Sequence, residues 1–374
     1  VNEFEMAWKY LPDLSILQAR YPGLEIVKEN YPGTFDELGY ELLTGSSRFD
    51  LMALEVSTGD VPGLLSKGYF TDLSDVPEIA DYVAQLSPVW RQYCLRDGKI
   101  AAIPLFVRHL WGWMVNPEMW REEELGEVPG TFDELFDCIV YWNNQGIITD
   151  LPLFESGKKA FDTIWEHMLL EQIGICQIRD LPVTFQSEAF LRLLERLEQL
   201  RPVLKAYDER NLIGEEIIKT EGMLTFFSNV DDFYTNSYDH LLIGMEDPQD
   251  AAEQVVLTLL AVNPACRNKD EAISFLSWIA ANPTPWAEYV LMDRIGNGVP
   301  SGKAENDWII TPRNAEQLRE VSPFFTVLTH DGYGFIESAG SEVIEQFIAG
   351  RIDGKTLAEQ LEIQMKMMRD EMER

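Results

Sequence analysis

The residues that could do chemistry are few and scattered. His109, His167, His240 and His330 are the four histidines, and they form neither an HExxH pair nor a Cys/His ligand spacing, so no zinc site is expected. Each reads as a surface or core histidine. There is no GxSxG elbow and no GxxxxGKS/T phosphate loop, and Gly296 to Ser301 (GNGVPS) lacks the third glycine and preceding strand of a dinucleotide site. No catalytic residue, metal or cofactor is therefore expected. Asp231 and Asp232, with Asp239 nearby, leave three readings open: glycosidase acids, a ligand contact or a solvated loop. Glycosidic cleavage needs two carboxyl groups facing each other across a bond, which sequence neighbours rarely do. A chain with 63 acidic residues also makes such a cluster by chance. A calcium loop is excluded, because the central glycine and distant glutamate are missing. The ten tryptophans are a more unusual signal. Sugar rings stack apolar C–H faces on indole while their hydroxyls seek amides and carboxylates. Trp111 and Trp113, alternating along one apolar run, and Trp286, flanked by Pro283 and Pro285, either line such a cleft or pack in the interior.

The elements that must position these residues belong to a chain of 374 residues, long enough for two lobes with a core each. Hydrophobic residues make up 46% and charged residues 25%, an ordinary globular balance, and no run of about 18 apolar residues is present to span a bilayer. The net charge of −33 repels phosphate backbones and anionic headgroups, so nucleic acid is excluded as a partner and the acidity reads as a solvated surface. Cys94, Cys138, Cys176 and Cys266 are widely spaced and read as buried thiols, not as a disulfide framework. No signal peptide precedes Val1, so the sequence reads as a mature or trimmed chain, or a cytoplasmic one.

Along the chain, Leu24 to Asn30 reads as a strand and Pro32 to Leu38 (PGTFDEL) as a helix start, with Thr34 and Glu37 forming a capping box. Phe49 to Leu54 is a second strand, followed by a helix from near Pro62 that Gly68 ends. This alternation implies a parallel sheet. Ile100 to Val107 and Trp111 to Val115 are two further apolar runs with Arg108, His109 and Leu110 between them, where the chain is expected to cross between lobes. The string PGTFDEL recurs at Pro129 to Leu135. It reads as a second helix with the same box, Thr131 with Glu134, or as a trace of lobe duplication. Helical spacing covers Phe161 to Ile175 and Ser187 to Asp208, and a buried strand, Gly222 to Phe227, leads into the Ser228 to Asp232 loop. Val255 to Val262 is another strand and a second crossing, after which Asn263 to Asn268 caps a helix from Lys269 to Ala281. The tail from Ser341 to Glu373 is amphipathic helix, interrupted at Gly350 to Gly354.

Ordered along most of the chain, these segments resemble the family 1 extracellular solute-binding proteins of bacterial ABC importers, which deliver mainly carbohydrates. The motifs are Phe49 to Leu54 (FDLMAL) with Leu64 to Ser74 (LLSKGYFTDLS), then Asp97 to Pro104 (DGKIAAIP), Val115 to Trp120 (VNPEMW) and Val128 to Leu135 (VPGTFDEL). Thr220 to Thr225, Asn263 to Ala281, Gly298 to Pro300 and Ile348 to Thr356 continue the series. The resemblance implies an α/β, two-lobed type II periplasmic-binding-protein fold, each lobe a mixed sheet flanked by helices, with a ligand cleft between them. Its lobes would be residues 1–106 with 261–310 and residues 107–260 with 311–374, the third crossing lying near Thr311. It further implies a monomeric, non-enzymatic receptor, extracellular or periplasmic and lipoprotein-anchored. Such a receptor would capture a sugar by closing its lobes and present it to the permease subunits. Strand-end loops would supply the contacts, as α/β sheets bind at the carboxyl ends of their strands. Carried over position by position, these are Leu54, Ser57 and Thr58; Arg108 and His109; Asn229, Asp231 and Asp232; and Tyr333 with Phe335, and the aromatic reading adds Trp111 and Trp286. The chain departs from many sugar binders in placing Asn229 and Asp231 where they have a tryptophan. A non-sugar polar metabolite, suggested by Asp231, Asp232 and Glu55, or a sensor without transport are the alternatives, and a glycoside hydrolase is the remotest.

Overall fold

The computed structural model describes residues 31–57, 61–86, 88–122, 125–147, 159–211, 224–227, 239–281, 325–327, 329 and 341–372. The chain divides into two compact units, one of residues 1–108 and 256–302, the other of residues 109–255 and 303–374.

In the first unit, helix α1 (Phe35–Thr44) begins at the expected box: Thr34 Oγ1 accepts from the Glu37 amide at 3.3 Å and Glu37 Oε2 accepts from the Thr34 amide at 2.7 Å. Gly45 ends it in the left-handed region at φ 66°, a conformation that favours glycine. Strand β1 (Leu51–Glu55) follows, then α2 (Val61–Ser66), α3 (Pro77–Gln85), α4 (Pro88–Cys94) and a hairpin of β2 (Leu95–Arg96) with β3 (Lys99–Ile100). The apolar runs around Arg108 are not two segments. They form one strand of 13 residues, β4 (Ile103–Val115), because a short polar pair does not interrupt a ladder whose hydrogen bonds are made by the backbone.

The second unit continues with α5 (Pro117–Glu122), α6 (Phe132–Gln145), α7 (Ala160–Ile178), α8 (Glu188–Asn211), β5 (Leu224–Phe227) and β6 (Asp239–Leu241). Strand β7 (Glu253–Val262) starts in this unit and ends in the first, as β4 does in reverse. Helix α9 (Lys269–Ala281) returns to the first unit and packs on α3. Then β8 (Phe325–Val327), α10 (Ser341–Ile348) and α11 (Gly354–Met372) complete the second.

The strand–helix alternation implied parallel pairing, and among the described ladders only β7 with β8 is parallel. β1 runs antiparallel to β7, in register from Leu51 opposite Val262 to Glu55 opposite Thr258, and β5 and β6 both run antiparallel to β4.

The Asn263 to Asn268 segment leads into α9, with the Asn268 carbonyl accepting from the Ala272 amide at 2.9 Å. The Asn263 side-chain amide spans back to the carbonyls of Ser47 at 3.2 Å and Phe49 at 2.9 Å, tying the end of β7 to the approach to β1. In the second unit α8 packs against α6, α7 and α11. Trp113, Phe132, Trp142, Phe185, Phe190 and Phe347 are fully buried there, and Trp165 lies 5.2 Å from Phe347 and 6.3 Å from Phe190. Burying one such ring is worth roughly 2–3 kcal/mol, so this aromatic layer dominates the core of the unit. Cys94 and Cys176 are buried thiols as expected, whereas Cys138 and Cys266 are half-buried.

Candidate functional site

The candidate residues whose side chains are described stand at the carboxyl end of β1. Leu54 and Ser57 are buried, at 2% and 5% exposure, beside the equally inward Glu55. The backbone is held there by the β7 ladder, Glu55 opposite Thr258 and the Val56 amide donating to Leu257 O at 2.9 Å. Ser57 Oγ donates to Glu55 Oε1 at 2.6 Å. This short, charge-assisted bond orients the hydroxyl beside the carboxylate. The hydroxyl's described partner is thus a carboxylate and not the imidazole that commonly activates a serine nucleophile.

Arg108, His109 and Trp111 lie on β4 at the division between the units. Two residues further on, Trp113 is settled as a packing residue: it is fully buried, its ring 5.3 Å from that of His167. Thr58, Asn229, Asp231, Asp232, Trp286, Tyr333 and Phe335 lie outside the described residues, as does the Leu24 to Asn30 strand. Among the described residues no group of three or more His, Cys, Asp or Glu could hold a metal ion. No helix among them is long and apolar enough to cross a membrane.

Two features were not expected from the sequence. One is a groove of about 800 Å³ along α1, lined by Tyr31, Tyr40 and Phe49 with Asp36, Glu37 and Glu41. Arg48 lies over the Phe49 ring at 5.1 Å, and burial, then Glu41 and Glu37, raise the Tyr31 phenol above its ordinary range. The other is a buried polar cluster where α7 meets β7. Glu171, Gln172, Glu253 and Gln254 are each under 5% exposed, and Gln172 donates to Thr184 O at 2.6 Å while Ser187 Oγ donates back to its Oε1 at 3.0 Å. The one signal for this cluster was the four-residue spacing of His167 and Glu171, which sets two side chains on one helical face.

No protein-family model and no curated protein sequence gives a significant match. Solved structures do, over nearly the whole chain. A cyclic α-maltosyl-1,6-maltose binding protein from Arthrobacter globiformis superposes at TM-score 0.63 with 17% identity, covering 96% of this chain and 94% of that one. The fold is that of the two-lobed solute-binding proteins. The galacto-N-biose/lacto-N-biose I-binding protein of an ABC transporter from Bifidobacterium longum gives 0.63 with 12% identity over 96% and 92% of the two chains. An ABC substrate-binding protein from Listeria monocytogenes in complex with cycloalternan gives 0.61 with 14% identity over 96% and 94%.

Proposed function

We propose that this chain is the extracellular substrate-binding component of an ABC importer, capturing a sugar or oligosaccharide by closure of its two lobes and catalysing nothing. The observation that carries this reading is the chemistry of the structural neighbours. Maltose, raffinose, chitin oligosaccharide and lacto-N-biose are the ligands named for solved structures that match over more than nine-tenths of both chains. Two features of this chain support it. The buried Glu55–Ser57 pair at the end of β1 offers the carboxylate and hydroxyl that sugar hydroxyls take. β4 and β7 supply covalent links between the units, along which a hinge closes when ligand favours the closed state. The proposed contacts are Leu54, Ser57 and Thr58, Arg108, His109 and Trp111, Asn229, Asp231 and Asp232, Trp286, and Tyr333 with Phe335. The proposed partners are the permease subunits of the importer.

Calorimetric titration against maltose, raffinose, chitin and xylan oligosaccharides and galactose-type disaccharides tests this. Saturable binding of at least one, accompanied by a smaller radius of gyration in solution scattering, is the expected result. No binding across that panel and no compaction would remove the sugar assignment. Replacement of Glu55 by Gln is expected to weaken whichever sugar binds about tenfold or more, as loss of a charged hydrogen-bond acceptor does.

A further inference from the structure

On α7, His167 Nε2 and Glu171 Oε2 lie 3.6 Å apart one helical turn from each other, and the two residues are 3% and 1% exposed. The other Glu171 oxygen, Oε1, accepts from the backbone amide of Ala252 at 2.7 Å, immediately before β7. The His167 ring is 5.3 Å from Trp113 on β4 and 5.3 Å from Phe132 on α6. One side-chain pair thus touches β4 directly and the start of β7, the two strands along which the chain passes from unit to unit. Among the described residues, the charged groups that face it are Glu253 at the start of β7, itself 2% exposed, and Asp250, which Arg179 holds at 3.0 Å. Trp113, Phe132 and Thr326, from β4, α6 and β8, do not titrate.

We propose that His167 and Glu171 form a proton-holding clamp that seats the start of β7 on α7 and lets go as the pH rises. While the pair keeps its proton, Glu171 is neutral or balanced by the imidazolium, and its Oε1 holds the Ala252 amide in an interior that tolerates no uncompensated charge. When the proton leaves, a buried carboxylate faces Glu253 with no counter-charge beside it among the described residues, and the side chain is driven toward water. Burial first, and then the charge of Glu253, hold the Glu171 carboxyl well above the ordinary carboxylate range, while the Ala252 amide pulls the other way. A proton bound more tightly in the folded state stabilises the fold below the ordinary carboxylate range. That contribution is lost as pH climbs through the raised value. His167 and Glu171 are positioning residues here, acting on β4 and β7.

Hydrogen exchange of the 250–256 segment in the full chain, corrected for the intrinsic pH dependence of amide exchange, tests the clamp. Between pH 6 and 8.5 the opening of this segment is expected to rise about tenfold or more in the unaltered protein and to stay flat in E171Q. Glutamine at 171 can still accept from Ala252 but cannot ionise. The β2–β3 hairpin at 95–100 is expected to show no such dependence in either protein. E253Q, which removes the facing carboxylate, is expected to make the rise shallower, and it carries the test if E171Q fails to fold. An E171Q protein with the original pH dependence, one that opens more than the parent at every pH as loss of a plain ion pair would cause, or an E253Q protein indistinguishable from the parent would each overturn the proposal.

Discussion

Asp208 caps a helix to which it does not belong. It sits near the end of α8, yet its Oδ1 accepts from the Ala160 amide at 2.9 Å, at the start of α7, where Lys159 supplies no side-chain cap. Burial pushes its carboxyl up to about 6; the cap hydrogen bond opposes this and the charge of Asp162 adds to it. The folded value is raised, so the stabilisation from this proton is complete at acid pH and disappears as pH rises from about 4 through about 6. D208N retains an acceptor and carries no charge. It is expected to be more stable than the parent at pH 8, by on the order of 1 kcal/mol after allowance for solvent screening, and to show less loss between pH 5 and pH 8. Thermal unfolding at the two pH values measures both, and a D208N protein less stable at pH 8 would refute the assignment. Trp113 teaches a related point. Strand alternation placed it beside Trp111 and left a cleft role open, and only its burial against His167 shows that it packs.

The heptapeptide PGTFDEL starts both α1 and α6, and its two copies are not used alike. Thr34 and Glu37 close a full box, whereas Thr131 accepts from the Glu134 amide at 3.3 Å and Glu134 reaches one residue further back, accepting from Gly130 at 2.8 Å. Identical local sequence therefore secured the helix start and not the bond pattern, because the chain enters α6 through a bridge between Thr131 and Gly244. Helix α7 approaches the sheet through Gly174. A Cβ there would stand 2.5 Å from Ala252 Cβ and 2.5 Å from Gln254 Nε2. G174A is expected to force α7 off β7 and cost about 1–3 kcal/mol, although alanine is the better helix former. A urea midpoint unchanged or raised, at constant slope, would contradict this close approach.

At the scale of the molecule, 63 acidic against 30 basic residues give a net charge of −33. Some of it is neutralised locally: Arg192 and Arg196 of α8 both pair with Asp133, and they reach Glu246 at 3.4 Å and Asp137 at 2.5 Å respectively. The remainder repels itself across the surface, and salt screens such repulsion beyond about 10 Å at 0.1 M. Raising NaCl from 10 to 150 mM is expected to increase the unfolding midpoint, by on the order of 1 kcal/mol of stability. A midpoint that falls with salt would mean that the ion pairs outweigh the repulsion.

Much of the fold was legible in the sequence, since helix starts, helix stops and apolar runs are local properties. Thr34, Thr131, Gly68 and the β7 run declare themselves within a few residues, and the ordered motifs from Phe49 to Thr356 pointed to the solute-binding fold that the solved neighbours share. The candidate site was legible only as positions on strand ends. Ser57 could be named, but not its bond to Glu55, because the β7 ladder is what turns both side chains inward. Pairing direction was less legible: β1 runs antiparallel to β7 and β5 to β4, partners that alternation of elements does not encode, while the Leu24 to Asn30 run that implied parallel pairing lies outside the described residues. The cluster of His167, Glu171 and Glu253 was decided by tertiary structure alone. Eighty-two residues separate Glu171 from Glu253, and only the packing of α7 on β7 removes the water between them.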